Sequence, residues 1–207
     1  MQWIGFNTLG IKRCGSKIIT VVAKHNLREM QAELGSDSHI DADRIKDNVI
    51  IFGASTSHGA AQDTKNILKD VHPSKIRVNA VLGIKIVITL PNDSAIDELA
   101  YFTDTMNWAV AYFEIPLLSA IWHKDESTPH AHIILVPLYN GELKGSKLLS
   151  GIDKLAAIKE LHLNQVCKHY GIVKPIPAKR VSVDSRRKLL DSIIYGLLNN
   201  LRIPFRH

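Results

Sequence analysis

Cysteine is almost missing from this chain: Cys14 and Cys167 are the only two in 207 residues. They are too few and too far apart for a disulfide framework or a metal knuckle. A reducing compartment, and so a cytoplasmic location, is the expectation. No apolar run approaches the roughly 18 residues of a membrane span. The longest candidate, Val81 to Pro91, is broken by Lys85. The N-terminus lacks the apolar core of a signal peptide. Internal repeats and low-complexity tracts are absent. So are two familiar metal signatures, the helical H-E-x-x-H of the zincins and the P-C-x-x-C of the zinc deaminases. These absences exclude membrane, secreted disulfide-rich and repeat classes. Hydrophobic residues make up 45% and charged residues 22%, which leaves an ordinary globular chain with enough length for one good core.

A net excess of either charge is missing over most of the length. Residues 1–173 carry 18 Lys+Arg and 18 Asp+Glu, and are neutral. Residues 174–207 carry eight basic residues against Asp184 and Asp191, so the formal excess of +6 lies there. Two regions follow: a folded domain over 1–173, and a basic linker with a C-terminal helix over 174–207. A basic tail beside a neutral domain points to a polyanionic partner.

What is present is concentrated in Ile121 to Leu138. This stretch reads Trp122-His123-Lys124-Asp125-Glu126-Ser127-Thr128-Pro129-His130-Ala131-His132 and then turns apolar. On a strand, His130 and His132 share one face, roughly 6.5–7 Å apart. His123 closes the apolar run Leu117 to Trp122. Lys124 to Pro129 has the composition of a loop. A β-hairpin results, with His123 leaving one strand beside the point where His130 enters the next. Three neutral imidazoles then converge. They suit Mn, Co, Ni or Zn, and Mg where water and substrate oxygens complete the shell. Such a tripod leaves positions open for catalysis.

Along the rest of the chain, the β-branched run Ile18 to Ala23 is expected as a strand and Lys24 to Leu34 as a helix. Residues 35–48 read as loop, Val49 to Phe52 as a strand and Gly59 to Asp70 as a weak helix. Val81 to Leu90 is a Val- and Ile-rich strand. Asp93 is a candidate cap for a helix reaching Phe113. Gly151 to His169 and Asp184 to Leu201 are amphipathic helices. The order implies an α+β fold, an antiparallel sheet with helices packed on one face and a metal on the other.

His25 follows Ile18 to Ala23 directly. At a strand-to-helix junction, near helix N-terminal dipoles, its neutral imidazole is favoured, and neutral imidazole is a nucleophile. Two segments together resemble the plasmid mobilisation and recombination (Mob/Pre) relaxases of the HUH endonuclease class. One is Lys24-His25-Asn26-Leu27-Arg28. The other is His123-Lys124-Asp125-Glu126-Ser127-Thr128-Pro129-His130-Ala131-His132 with Val136-Pro137 after it. Ile76 to Leu82 and Asn140 to Leu143 are also similar to segments of that family.

The resemblance implies metal-dependent nicking of one plasmid DNA strand at an origin of transfer, with covalent attachment to the 5′ phosphate. It implies His25 as nucleophile, in place of the N-terminal tyrosine of most HUH relaxases. The first tyrosine here is Tyr101. His123, His130 and His132 are then ligands of Mn2+ or Mg2+, and Glu126 and Asp125 orient or deprotonate. Lys24, Asn26, Arg28, Lys179, Arg180, Arg186, Arg187 and Lys188 are the candidate DNA contacts. The expected partner is single-stranded or hairpin plasmid DNA, with a homodimer or other mobilisation proteins as further partners. Three alternatives stay open: an HUH initiator or transposase using Tyr170, an inactive DNA-binding relic, and a small-molecule metallohydrolase.

Overall fold

The computed structural model describes residues 6–12, 18–35, 39–71, 76–77, 79–92 and 95–173. Its centre is an antiparallel sheet built from β1 (Phe6–Lys12), β2 (Val49–Phe52), β3 (Val81–Thr89), β4 (Leu117–His123) and β5 (His130–Leu135), in the order β1-β3-β5-β4-β2. The histidine-bearing strands thus lie in the middle. A small hairpin of β6 (Leu138–Tyr139) and β7 (Glu142–Leu143) follows. The helices are α1 (Ile18–Asn26), α2 (Glu29–Leu34), α3 (Ser57–Ile67), α4 (Glu98–Phe113), α5 (Gly145–Leu149) and α6 (Ile152–Gln165), with 3-10 turns at Ala42–Asp47 and Cys167–Tyr170.

Strand alternation divides the apolar residues into two cores. Ile84, Ile86 and Ile88 of β3 and Ala131, Ile133 and Leu135 of β5 face α4 and α6. Phe102, Met106, Ala109 and Ile158 of those helices meet them. The residues between, Ile134 and the following Val136, face the other way and pack on Ile19 of α1, with Ile67 of α3 beside them. Helices therefore cover the expected face and also part of the second one. The open remainder of that second face holds the histidines.

Several expectations change. Ile18 to Ala23 is helical, not extended. Ile19 and Ala23 fall four apart and are both buried, so amphipathic packing overrides the strand preference of β-branched residues. The expected helix from Lys24 is broken at Arg28, whose φ of 60° places it in the left-handed region between α1 and α2. Asp97, not Asp93, caps α4, accepting from the Ala100 N–H at 3.0 Å. The helix from Gly151 tightens into the 3-10 turn at Cys167. Strand β1 was not anticipated, and completes the sheet against β3. The chain divides into Met1–Lys174 and Pro175–His207. The second unit lies outside the described residues, and with it the helix expected over Asp184 to Leu201.

Candidate functional site

Strands β4 and β5 pair so that His123 lies directly opposite His130, and Ile121 opposite His132. The expected hairpin forms, and its register brings the three rings together. Ring centroids are 5.0 Å apart for His123 and His130, 4.8 Å for His123 and His132, and 4.9 Å for His130 and His132. One nitrogen from each lies within 4.8 Å of the others. All three side chains are buried.

The hydrogen bonds settle two tautomers. His123 Nε2 lies 2.7 Å from the Asn26 carbonyl, which can only accept. His130 Nδ1 lies 2.9 Å from the Thr128 carbonyl. Each ring therefore donates outward and turns its lone pair inward, His123 Nδ1 facing His130 Nε2 at 3.2 Å. Two lone pairs in that position repel. Arg28 Nη2 reaches His123 Nδ1 at 3.1 Å, but it also donates to Asp125 Oδ1 at 2.8 Å and Glu126 Oε1 at 2.6 Å. Two hydrogens cannot serve three acceptors, and the longest contact is the one left short. His132 Nδ1 is buried with no hydrogen-bond partner among the described residues. A cation resolves each of these deficits. Nitrogens about 2.1 Å from one ion stand about 3.0–3.4 Å apart, close to the 3.2 Å of the His123–His130 pair. The donor set fits a divalent transition ion, and the outward N–H bonds are the orienting bonds such ligands use.

Protonation agrees. Burial, then the Arg28 charge, pushes the His123 pKa down to about 3. Burial and Lys85 hold His132 well below the usual range. Both rings stay neutral and able to ligate.

Arg28 ties the site to α1. Its Nε donates to Asp125 Oδ2 at 2.7 Å, completing a two-point pair that is almost fully buried. Asn48 Nδ2 donates to the same oxygen at 2.8 Å, and Asn48 Oδ1 accepts from the Lys124 N–H at 2.7 Å. Burial works against the Asp125 charge, but Arg28 and Asn48 outweigh it and hold the carboxyl below its ordinary pKa. With its oxygens engaged, Asp125 is a brace and a poor base. Arg28 is likewise sealed at 3% exposure, so the expected phosphate contact gives way to a positioning role. Asn26 is buried too, while Lys24 pairs with Glu33 at 2.6 Å on the surface. Lys179, Arg180, Arg186, Arg187 and Lys188 lie outside the described residues.

His25 and Glu126 open onto the same cavity as His130 and His132, of about 460 Å³. The His25 ring meets His132 edge-on at 6.4 Å between centroids. His25 sits in the last turn of α1, not at a strand-to-helix junction. That end of a helix favours imidazolium. Loss of solvent, then the charges of Lys85 and Arg28, override it and lower the pKa. Neutrality holds, for a different reason. Glu126 Oε1 stands 3.8 Å from His130 Nε2 and is partly exposed. His39 and Ile40 also line the cavity. They and Asn48 were missed, because a loop residue becomes legible only once the hairpin it meets is built.

The family profile of the plasmid recombination enzymes, Mob_Pre, matches residues 9–193. The chain belongs to this family. No curated protein matches it. Among solved structures, a crystal structure of the MobM relaxase domain bound to a 22-nucleotide pMV158 oriT DNA with a 3′ thiophosphate, with Mn bound, is 24% identical. It covers 91% of this chain and 100% of that one at a TM-score of 0.69. A MobM structure with a 26-nucleotide oriT DNA is 19% identical, with 89% and 99% coverage and a TM-score of 0.61. These likenesses show the shared fold. In this Mob_Pre member, Tyr170 packs against Tyr101 in the α4 core and donates to Asp104, on the side of the sheet away from the histidines. That placement sets Tyr170 apart from the histidine cluster. Among the described residues, no helix is long and apolar enough to cross a membrane.

Proposed function

We propose that this chain is a metal-dependent relaxase that nicks one strand of plasmid DNA at an origin of transfer and carries the 5′ phosphate on His25. One observation carries the reading. Two of the three clustered histidines, His130 and His132, open onto the same cavity as the neutral His25 on a separate helix. Family membership supports it, as do the oriT DNA and Mn bound by the MobM domain of like fold.

His123, His130 and His132 are assigned as ligands of Mn2+ or Mg2+. An ion held there would supply Lewis-acid polarisation of the scissile phosphate. The remaining chemistry belongs to side chains. The lone pair of the neutral His25 ring forms the N–P bond. The P–O3′ pair leaves with O3′, which takes up a proton and becomes the free 3′ hydroxyl. The ring's other N–H proton is released, with Glu126 as the nearby acceptor. Arg28, braced by Asp125, holds Glu126 at the cavity. Lys179, Arg180, Arg186, Arg187 and Lys188 are proposed to bind the DNA backbone around the site, and Lys24 is a surface candidate for the same. A homodimer or other mobilisation proteins, and a cytoplasmic location, complete the proposal.

The test is supercoiled plasmid carrying the cognate origin, incubated with Mn2+ or Mg2+, followed by mapping of the adduct. Nicked circles with the DNA on His25 are expected, and His25→Ala should lose more than about 1,000-fold in rate. An adduct on Tyr170, or specific binding without metal-dependent cleavage, would overturn the assignment.

A further inference from the structure

Lys85 is the one charged residue of β3, the strand between β1 and β5. It pairs with Leu9 on one side and Ile134 on the other. Its neighbours Ile84 and Ile86 enter the α4 core, so Lys85 rises from the opposite face, one pleat along from Val87 and Thr89 of the cavity wall. Among the described residues no hydrogen bond or ion pair holds its ammonium. It is nonetheless the strongest single charge acting on both His25 and His132. A half-buried cation on a central strand is costly when the only opposing charge, Glu126, acts on it without a direct ion pair. Burial, and then the Arg28 charge, push its own pKa down. An apolar side chain of similar length would suit the surroundings of Ile134 better. An anion that arrives between Lys85 and His25 would compensate the charge.

We propose that Lys85 is a catalytic residue whose ammonium grips a non-bridging oxygen of the phosphate that His25 attacks. This rests on the phosphodiester reading above. It gives the site a second cation, contributed by the sheet, on the His25 side of the histidine cluster. Charge that builds on the phosphate oxygens in the transition state is met by Lys85 without any rearrangement of the protein.

Lys85→Met and Lys85→Arg test it in the whole protein. Metal-free binding is measured with an oligonucleotide spanning the nick, carrying either the natural phosphate or a neutral methylphosphonate at the scissile position. Wild type should prefer the phosphate by about 10-fold, and Lys85→Met should lose that preference. Nicking by Lys85→Met should fall about 100-fold, with Lys85→Arg recovering most of it. The Tm of metal-free Lys85→Met should equal or exceed wild type, because a half-buried charge without a direct ion pair has gone. Unchanged nicking by Lys85→Met, or a lower Tm with the phosphate preference intact, overturns the role of Lys85 alone. A wild type that binds the oligonucleotide but never cleaves it overturns the phosphodiester reading, and this inference with it.

Discussion

The two faces of the sheet each bury a histidine, and only one of them makes a site. On the α4 side, His162 is 2% exposed and burial alone pushes its pKa down to about 4. On the other side, His123 is fully buried and reaches about 3. Burial and titration hardly distinguish the two. Their partners do. His162 Nε2 meets Thr105 Oγ1 at 3.1 Å, and Nδ1 meets Cys167 Sγ at 3.4 Å. Hydroxyl and thiol both donate and accept, so either tautomer is satisfied and the network is closed. The rings of Phe6 and Trp108 pack around it at 4.8 and 4.9 Å. Around His123, by contrast, carbonyls fix the tautomers and leave lone pairs facing each other. A buried histidine becomes a ligand when its surroundings deny it a proton donor, not merely when they deny it water.

The sharpest way to break this comparison is Arg28. Replacing it with methionine leaves Asp125 buried without its cation, which should cost about 3–5 kcal/mol in urea denaturation. A loss below about 1 kcal/mol would mean that the Asp125 brace is dispensable. Cys167→Ala on the closed face should cost less, since no charge is stranded there.

Next come the histidines themselves. His162→Ala removes a packed ring and should destabilise by about 2–4 kcal/mol. Its response to Mn2+ should remain. For wild type, Mn2+ at about 100 times its Kd should add about 2.7 kcal/mol of stability, read as a rise in Tm. His132→Ala should abolish that rise. If His162→Ala abolished it and His132→Ala did not, the two faces would have been assigned the wrong way round.

This division of labour was only partly visible in the residues. The hairpin was legible because alternation, a Pro-bearing loop and two histidines two apart all point the same way. Register then placed His123 opposite His130, as loop length suggested. What stayed hidden depends on tertiary contact. Ile18 to Ala23 looks extended when taken alone, and becomes a helix because its buried side packs over β1 and α3. Arg28 looks like a surface cation until α1 docks it against Asp125. Lys85 looked like a mere interruption of an apolar strand. Strand β1, Phe-Asn-Thr-Leu-Gly-Ile-Lys, alternates too weakly to declare itself before β3 is beside it.

Acid offers a gentler probe of both faces. The folded pKa values of His123 and His162 lie below the unfolded value near 6.5. Between these limits the unfolded chain binds more protons, so stability falls as pH drops from about 6.5 toward 3. Metal-free protein should lose roughly 1.4 kcal/mol per pH unit for each such proton in mid-window. His162→Phe should remove one share of that slope and leave the rest. Nicking should also fade on acidification, as His25 gains the proton that blocks its lone pair. An acid slope unchanged by His162→Phe would show that this ring titrates alike in both states.

The smallest effect tests the comparison from the far side. Tyr170 belongs to the closed face, where its hydroxyl donates to Asp104 at 2.5 Å. Its pKa is raised to about 12, by burial and then by that carboxylate, so the phenol stays protonated and is a poor nucleophile. Tyr170→Phe removes one hydrogen bond at an exposed edge, a loss of about 0.5–1.5 kcal/mol at most. Ring packing against Tyr101 is kept. Nicking rate and adduct should therefore match wild type. A Tyr170→Phe protein that folds normally but no longer forms the adduct would move the chemistry across the sheet, and would leave the histidine cluster without a reaction to serve.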